Sequence, residues 1–167
     1  MQLKPHLGFA LVEALVAMLV LAFGVLGLLW MQQQALVLQR QQLMRSVAIG
    51  IAEDLAERMQ LNAPQRAMYA RTWGQSEGVG SGPHCASTAC NRSELAQWDS
   101  QQLQHVLQTQ LPEGDASVFT RTDLPAGWGI VIAWRDANET YRPYATAGTP
   151  ACPAQMSCWR LFFRPEP

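Results

Sequence analysis

The chain has 167 residues, a formal net charge of −1 at pH 7, and 49% hydrophobic residues. Its length suits one domain with a modest appendage. A net charge this close to zero argues against a polybasic surface of the kind that binds nucleic acid or anionic membranes without specificity.

The most distinctive feature is an apolar run over residues 9–31, which contains one charged residue, Glu13, and no proline. A run of this length crosses a hydrocarbon core of about 30 Å as a helix. Residues 1–8 precede it and are polar, with Lys4 and no apolar core. A secretory signal peptide is cut after its hydrophobic region. We therefore expect residues 1–8 to be a cleaved leader and the apolar run to become the mature N terminus.

The junction between leader and apolar run has the sequence Gly8-Phe9-Ala10-Leu11-Val12-Glu13. It resembles the type III signal of type IV prepilins and pseudopilins. In that family a membrane peptidase cuts after the glycine, and the new N-terminal phenylalanine is methylated. The resemblance implies that prepilin peptidase cleaves between Gly8 and Phe9, that Phe9 is N-methylated, and that Glu13 acts in subunit assembly.

The physical chemistry of Glu13 supports the same interpretation. A carboxylate within a membrane helix costs about 2.5–3.5 kcal/mol on insertion scales, so it calls for a partner. Cleavage creates one, the amine of Phe9, four positions away on the same helix face. The family resemblance implies that the partner amine belongs to an adjacent subunit. A glutamate at the boundary of an ordinary membrane anchor is the alternative.

The helical pattern continues after the apolar run. Residues 32–63 form the second half of the predicted helix, which has no proline before Pro64 and ends near Asn62. Apolar residues recur every four positions along it, and we expect this stripe to pack on a globular head, residues 64–167. The stripe consists of Leu43, Val47, Ile51, Leu55 and Met59.

The head contains signals for one helix and several strands. Asn91 and Glu94 form a plausible capping pair for a second helix that ends near Leu111. Alternating or β-prone segments predict strands. The fold class is therefore α+β: the type IV pilin fold, with a long N-terminal helix on a small antiparallel sheet and a loop and short second helix between them. The predicted strands are residues 118–121, 128–135, 140–144 and 159–164.

Four cysteines occur as two close pairs, Cys85 with Cys90 and Cys152 with Cys158. Behind a membrane segment they indicate disulfides formed in an oxidising compartment. Four cysteines allow three pairings, of which we favour the two local ones. A zinc site with His84 as an extra ligand is the alternative, although the spacings are loose for a structural zinc site.

Signals for catalysis are weak. The sequence lacks the G-x-S-x-G, H-E-x-x-H and phosphate-binding glycine motifs, so we expect neither enzymatic activity nor a cofactor.

Trp73, in a glycine-rich stretch, is either a contact anchor for a neighbouring subunit or packs over the helix. Four acidic residues of the head could also be read as a calcium site, but the spacing of these residues matches no EF-hand, and exposure in solvated turns explains them better. Its candidate ligands are Asp115, Asp123, Asp136 and Glu139.

Parts of the head resemble a subgroup, the minor pilins called PilV or type IV pilus modification proteins. The resembling stretches are residues 90–99, 111–112, 134–136 and the second cysteine pair with residues 158–161. The resemblance implies a minor pilin that primes pilus assembly within a tip complex.

The same resemblance implies partners and a location. The partners would be other minor pilins and the major pilin, with a non-pilin tip adhesin as a further candidate, in a pilus that serves twitching motility. The subunit would wait in the inner membrane with a periplasmic head and then enter the pilus. A minor pseudopilin of type II secretion and a membrane-tethered binding module are the alternatives. Arginines scattered among acidic residues disfavour nucleic acid as a partner.

Overall fold

The computed structural model describes residues 7–75, 82–121, 127–136 and 148–164. The chain divides into two compact units, residues 1–42 and residues 43–167. The predicted α+β class is confirmed, with a long N-terminal helix and a small antiparallel sheet. The elements are α1 (Leu7–Leu61), a 3₁₀ helix (Ala63–Tyr69), α2 (Arg92–Gln110), β1 (Asp115–Thr120), β2 (Trp128–Trp134) and β3 (Ser157–Phe163).

Helix α1 ends where the sequence indicates. Asn62 leaves the helical region with φ −106° and ψ 44°, and it serves as the N-cap of the 3₁₀ helix. Pro64 then lies at the start of that short helix, where its missing N–H costs nothing. The predicted end of the long helix is thereby confirmed.

Helix α2 begins with the predicted capping pair. The Asn91 side chain accepts hydrogen bonds from the backbone N–H groups of Ser93 and Glu94, at 3.0 and 2.9 Å. The Glu94 carboxylate in turn accepts from the backbone N–H of Asn91 at 2.8 Å. This reciprocal arrangement satisfies donors that a helix N terminus otherwise leaves open. The helix stops at Leu111, before Pro112.

The three strands form an antiparallel sheet in the order β1-β2-β3. Val118 lies opposite Ile130, and Ile132 lies opposite Trp159. Strand β1 begins at Asp115 and β3 at Ser157, both earlier than predicted, because pairing with β2 continues to those residues. The predicted strand over residues 140–144 lies outside the described residues.

One face of the sheet packs against the C-terminal part of α1 and against α2. The predicted stripe supplies Ile51, Leu55 and Met59, which are 8%, 2% and 0% exposed. Leu43 is 57% exposed, so its place in the packed stripe was wrongly predicted. The core begins at the next residue, Met44, which is partly buried, and continues with Ala48, which is fully buried. Three alanines also belong to this face and were not predicted: Ala48, Ala52 and Ala56.

The opposite face of the sheet is also covered. Val131, Ala133 and Cys158 are fully buried in a second cluster. Trp73 packs against this cluster and donates a hydrogen bond from Nε1 to the carbonyl of Ala151, at 3.0 Å. Trp73 therefore covers the sheet, whereas the sequence suggested a subunit contact or packing over the helix. As a result, every residue of β2 is buried.

Candidate functional site

The N-terminal part of α1 presents an uncovered apolar surface. Every side chain over residues 11–40 is exposed, and large ones such as Phe23 and Trp30 are each 67% exposed. Among the described residues, one helix is long and apolar enough to cross a membrane, judged by length and composition. An apolar surface of this extent requires a lipid or protein environment.

The predicted processing and assembly residues lie close together on this helix. Gly8, Phe9 and Glu13 all belong to α1, and Glu13 is exposed. Phe9 precedes Glu13 by four positions, which is about one helical turn. This spacing would let a new amine at Phe9 approach the carboxylate of Glu13 within one chain. The remaining leader residues, 1–6, lie outside the described residues.

A buried polar cluster joins α1, the 3₁₀ helix and α2. Asp99 is 3% exposed and accepts from Arg58 Nη1 at 2.8 Å and from the Tyr69 hydroxyl at 2.6 Å. Asn62 donates to the Tyr69 hydroxyl at 3.3 Å and to the carbonyl of Arg92 at 2.8 Å. Buried polar groups of this kind fix the relative positions of the elements that carry them.

The cluster shifts the titration of two of its members. The hydrogen bond to Asp54 is the largest effect on Arg58 and raises its pKa. Desolvation by burial acts in the opposite direction, and the hydrogen bond to Asp99 raises the pKa further. Burial, together with the hydrogen bond to Asp99, raises the pKa of Tyr69 above its ordinary value of 10.0. Both groups therefore keep their protons at neutral pH, so the cluster holds its hydrogen bonds there.

A groove runs between α1 and α2 beside this cluster. Its volume is about 250 Å³. Asp54 stands at the groove with its side chain 61% exposed and accepts from Arg58 Nε at 2.7 Å. Gly50 also lines the groove, and a Cβ added there would meet no atom within 4 Å. The apolar walls are formed by Ile51, Leu55, Leu103 and Val106.

A second polar cluster occupies the other end of α2. Arg71 is buried and donates from Nη2 to Gln104 Oε1 and to the carbonyl of Gln75, each at 2.7 Å. Asp115 lies 3.7 Å from that guanidinium and accepts from the backbone N–H groups of Gly74 and Ala116, both at 2.8 Å. These contacts join the loop after the 3₁₀ helix to α2 and β1.

The calcium alternative is not assembled among the described residues. Asp115 is engaged by Arg71 and two backbone donors. Asp123 and Glu139 lie outside the described residues, and Asp136 ends the described part of its segment. Within the described ranges, no group of three or more metal-binding side chains occurs.

The cysteines are joined in the two local pairs. The Cys85–Cys90 bond has a Cα–Cα distance of 5.4 Å, and the Cys152–Cys158 bond one of 6.1 Å. Zinc binds thiolates, and sulfurs bonded to each other are not thiolates. His84 instead packs against Trp98, with ring centroids 5.0 Å apart.

A comparison with protein-family models agrees with this architecture. Residues 30–101 match the family model Tt1218-like, described as Type IV pilin Tt1218. Over these residues the chain is similar to type IV pilins. The matched region includes the part of α1 that joins the core, the first disulfide and the start of α2. The chain has no significant match among the curated proteins or the solved structures.

The sequence analysis did not predict either polar cluster. Asp99 falls at helical spacing between Ala96 and Leu103, which are both buried. An acidic residue on the apolar face of a predicted helix is itself a signal, because burial requires a partner. Arg71 and Tyr69 offer no comparable signal, since they lie in a segment without periodicity.

Proposed function

We propose that this chain is a minor pilin that helps to prime type IV pilus assembly, as part of a tip complex with other pilin-type subunits. The PilV-like stretches of the head support this role. The major pilin continues the filament below the complex, in this proposal, and a non-pilin adhesin is a further candidate partner at the tip. The role is structural rather than enzymatic, and twitching motility is the process it serves.

The observation that carries the proposal is the uncovered apolar helix. Its side chains over residues 11–40 are exposed without exception. Lipid satisfies such a surface before assembly, and the helices of neighbouring subunits satisfy it afterwards, because both environments are as apolar as the side chains themselves. The family match extends beyond the helix to residue 101, and this favours a pilin over a binding module on an ordinary membrane anchor.

The proposal includes a maturation pathway. The precursor lies in the inner membrane with its head in the periplasm, where an oxidising environment suits its two disulfides. Prepilin peptidase removes residues 1–8, and Phe9 becomes the N-methylated first residue. The amine of Phe9 then pairs with Glu13 of a neighbouring subunit as the chain leaves the membrane.

Deletion of the gene tests the tip role. We expect fewer surface pili by electron microscopy, while the major subunit remains present in the membrane by immunoblot. Restoring the wild-type chain should restore the pili. Purified pili that consist mainly of this chain would contradict a minor role. Loss of secreted enzymes with unchanged pili would instead assign the chain to type II secretion.

Replacement of Glu13 tests the assembly step. In the Glu13→Leu variant we expect membrane insertion to be unchanged or improved, because an expensive carboxylate is removed. Pilus numbers should nevertheless fall toward those of the deletion strain, because the amine of Phe9 loses its partner. Glu13→Asp, which keeps the charge, is the matched control. Normal piliation with Glu13→Leu would remove Glu13 from the mechanism.

A further inference from the structure

A polar cavity lies beside the second polar cluster, next to the last two turns of α2. Its volume is about 350 Å³. Its described walls consist of amide side chains, carboxylates and glycines, and none of the described lining residues is hydrophobic. Ligand cavities usually have mostly apolar walls. A cavity with polar walls requires a ligand that forms hydrogen bonds over most of its surface, because wall groups that lose water need new partners.

The strongest signal in this cavity is Gln104, which lines it and is 7% exposed. Its Oε1 accepts a hydrogen bond from Arg71 Nη2 at 2.7 Å. A guanidinium only donates, so this contact fixes which end of the amide is the oxygen. The Nε2 group of Gln104 has no hydrogen-bond partner among the described residues. Burial makes an open amide donor costly, and an acceptor on a bound ligand would satisfy it.

Two further amides line the same cavity. Gln108 follows Gln104 by four positions, so both lie on one face of α2, and Gln108 is exposed. Gln75 comes from the loop after the 3₁₀ helix, and its Oε1 accepts from the backbone N–H of Thr72 at 3.1 Å. That contact leaves the Nε2 group of Gln75 as the end available to a ligand. The cavity therefore offers amide donors from two elements.

Two carboxylates supply the acceptors, and each is matched by an arginine. Asp115 lies 3.7 Å from Arg71 Nη2, and Glu113 accepts a hydrogen bond from Arg135 Nε. The hydrogen bond from Arg135 lowers the pKa of Glu113, so this side chain is ionised and acts only as an acceptor at neutral pH. Because each negative charge has a guanidinium partner, the cavity favours neither a cation nor an anion.

The turn after α2 brings these acceptors against the amides. Glu113 has φ 50°, in a region that residues other than glycine seldom occupy. Gly114 follows it, and a Cβ added there would collide with the carbonyl oxygen of Leu107 in α2. The turn therefore lies close against the helix, with Glu113 exposed at the edge of the cavity.

We propose that this cavity binds a neutral saccharide, with Gln104 and Gln108 donating to its oxygens and with Glu113 and Asp115 accepting from its hydroxyl groups. A hydroxyl both donates and accepts, so neighbouring hydroxyls on a sugar ring can satisfy amides and carboxylates together. A peptide side chain that needs an apolar wall finds none among the described lining residues. The volume suits a ligand of about one or two sugar rings.

This inference concerns the head and does not rest on the minor-pilin role. Every residue that it invokes belongs to the compact unit of residues 43–167. Its test measures binding by the isolated chain, whereas the deletion experiment counts pili on cells. Either proposal can therefore fail while the other survives.

A glycan microarray tests the proposal with the full-length chain. The chain is solubilised in a detergent without a sugar headgroup, because a glycoside detergent would compete for the cavity. An antibody against a tag joins the chains in pairs, so that divalent binding compensates for a weak single site. The array carries neutral and sialylated glycans of one to three sugars. We expect binding to neutral glycans that the corresponding free sugar displaces. Binding to no neutral glycan, or a preference for the sialylated ones, would overturn the proposal.

Gln104→Glu tests the assigned site. This change keeps an acceptor for Arg71 but replaces the open amide donor with an oxygen. We expect the affinity for the best-bound neutral glycan, measured by isothermal titration calorimetry, to fall at least about tenfold. Near-ultraviolet circular dichroism should match that of the wild type. Unchanged affinity in Gln104→Glu would overturn the assignment of the cavity.

Gln108→Leu keeps the test decisive if Gln104→Glu fails to fold, because Gln108 is exposed. We expect its affinity for the same glycan to fall about threefold or more, since one hydrogen bond is lost. Gln97→Leu is the matched control, because Gln97 is exposed on the same helix, about three turns away, and does not line the cavity. Equal affinities in Gln108→Leu and Gln97→Leu would place the saccharide elsewhere and overturn the proposal.

Discussion

At the residue scale, Asp99 connects α2 to α1 and to the 3₁₀ helix through its side chain. It accepts hydrogen bonds from a guanidinium and from a buried hydroxyl, and its own side chain is 3% exposed. Its partner Arg58 is 40% exposed and also contacts Asp54. The cost of removing Asp99 therefore comes mainly from Tyr69, whose hydroxyl would stay buried without its acceptor.

We expect Asp99→Ala to lower the free energy of unfolding by about 2–3 kcal/mol, since it removes two hydrogen bonds to a charged acceptor. Asp54→Ala is the control, because Asp54 is exposed and its pair with Arg58 spans one helical turn. That change should cost less than about 0.5 kcal/mol. Urea unfolding of the detergent-solubilised chain, followed by tryptophan fluorescence, measures both. Equal effects would show that the cluster does not stabilise the fold.

Tyr69 should make the free energy of unfolding depend on pH in the alkaline range. Burial and the hydrogen bond to Asp99 raise its pKa in the folded chain above the ordinary value of 10.0. Above about pH 10 the unfolded chain loses this proton while the folded chain retains it, so the unfolded state binds fewer protons and stability falls as pH rises.

Urea titrations between about pH 8 and about pH 11 measure this slope. We expect a decline above about pH 10 in the wild type and a flatter profile in Tyr69→Phe, which has no proton to lose there. The variant should also be less stable at neutral pH, because Asn62 and Asp99 lose a partner. A wild-type slope that persists unchanged in Tyr69→Phe would assign the alkaline transition to other groups.

At the scale of elements, the two disulfides close loops of similar length but serve different surroundings. Each contributes about 2 kcal/mol on the chain-entropy model. The Cys85–Cys90 loop precedes α2, and both cysteines are partly exposed. Cys158 is instead fully buried beside Val131 and Ala133, and Cys152 packs against the same cluster.

We therefore expect the double replacement Cys152→Ala with Cys158→Ala to destabilise the chain more than Cys85→Ala with Cys90→Ala does. The first should cost about 1 kcal/mol more than the second, because it also removes buried sulfur atoms from a packed cluster. Thermal unfolding followed by near-ultraviolet circular dichroism compares the two variants. An equal loss of stability in the two double variants would mean that loop closure alone determines both effects.

The elements themselves were largely predictable from sequence. Proline and capping signals fixed the end of α1 and both ends of α2, because these are local effects of backbone hydrogen bonding. The alternation in β2 identified the strand but not the burial of its second face. That face is covered by Trp73 and by the loop at Cys152, which are remote in sequence, and period-2 patterns carry no information about remote cover.

The candidate site residues divide in the same way. Glu13 stands out because a charge in an apolar run has no local explanation. The groove at Gly50 does not stand out, because it depends on how α2 lies against α1. Helical periodicity predicts which face of α2 is apolar, but it does not predict the space left between two helices.

At the scale of the whole molecule, the proposed maturation would turn a membrane precursor into an assembly subunit. We expect mass spectrometry of the mature protein to show a chain that begins at Phe9 and carries one added methyl group. Gly8 replaced by a bulky residue should leave the full-length precursor in the membrane, whereas Gly8→Ala, the smallest change, is the matched control. A mature protein that retains residues 1–8, or one cut after Met31, would contradict the assignment of the leader.

The complete burial of β2 has a consequence for how the chain must be handled before it folds. The strand Trp128–Trp134 is apolar throughout, carries no charge or proline, and has high β-propensity. Segments with these properties stack into fibrils when they are exposed. In the folded chain, β1 and β3 occupy both edges and the two clusters cover both faces, so the hazard is confined. Before β1 and β3 have paired with β2 during folding, Arg135 is the charge next to β2 that opposes aggregation.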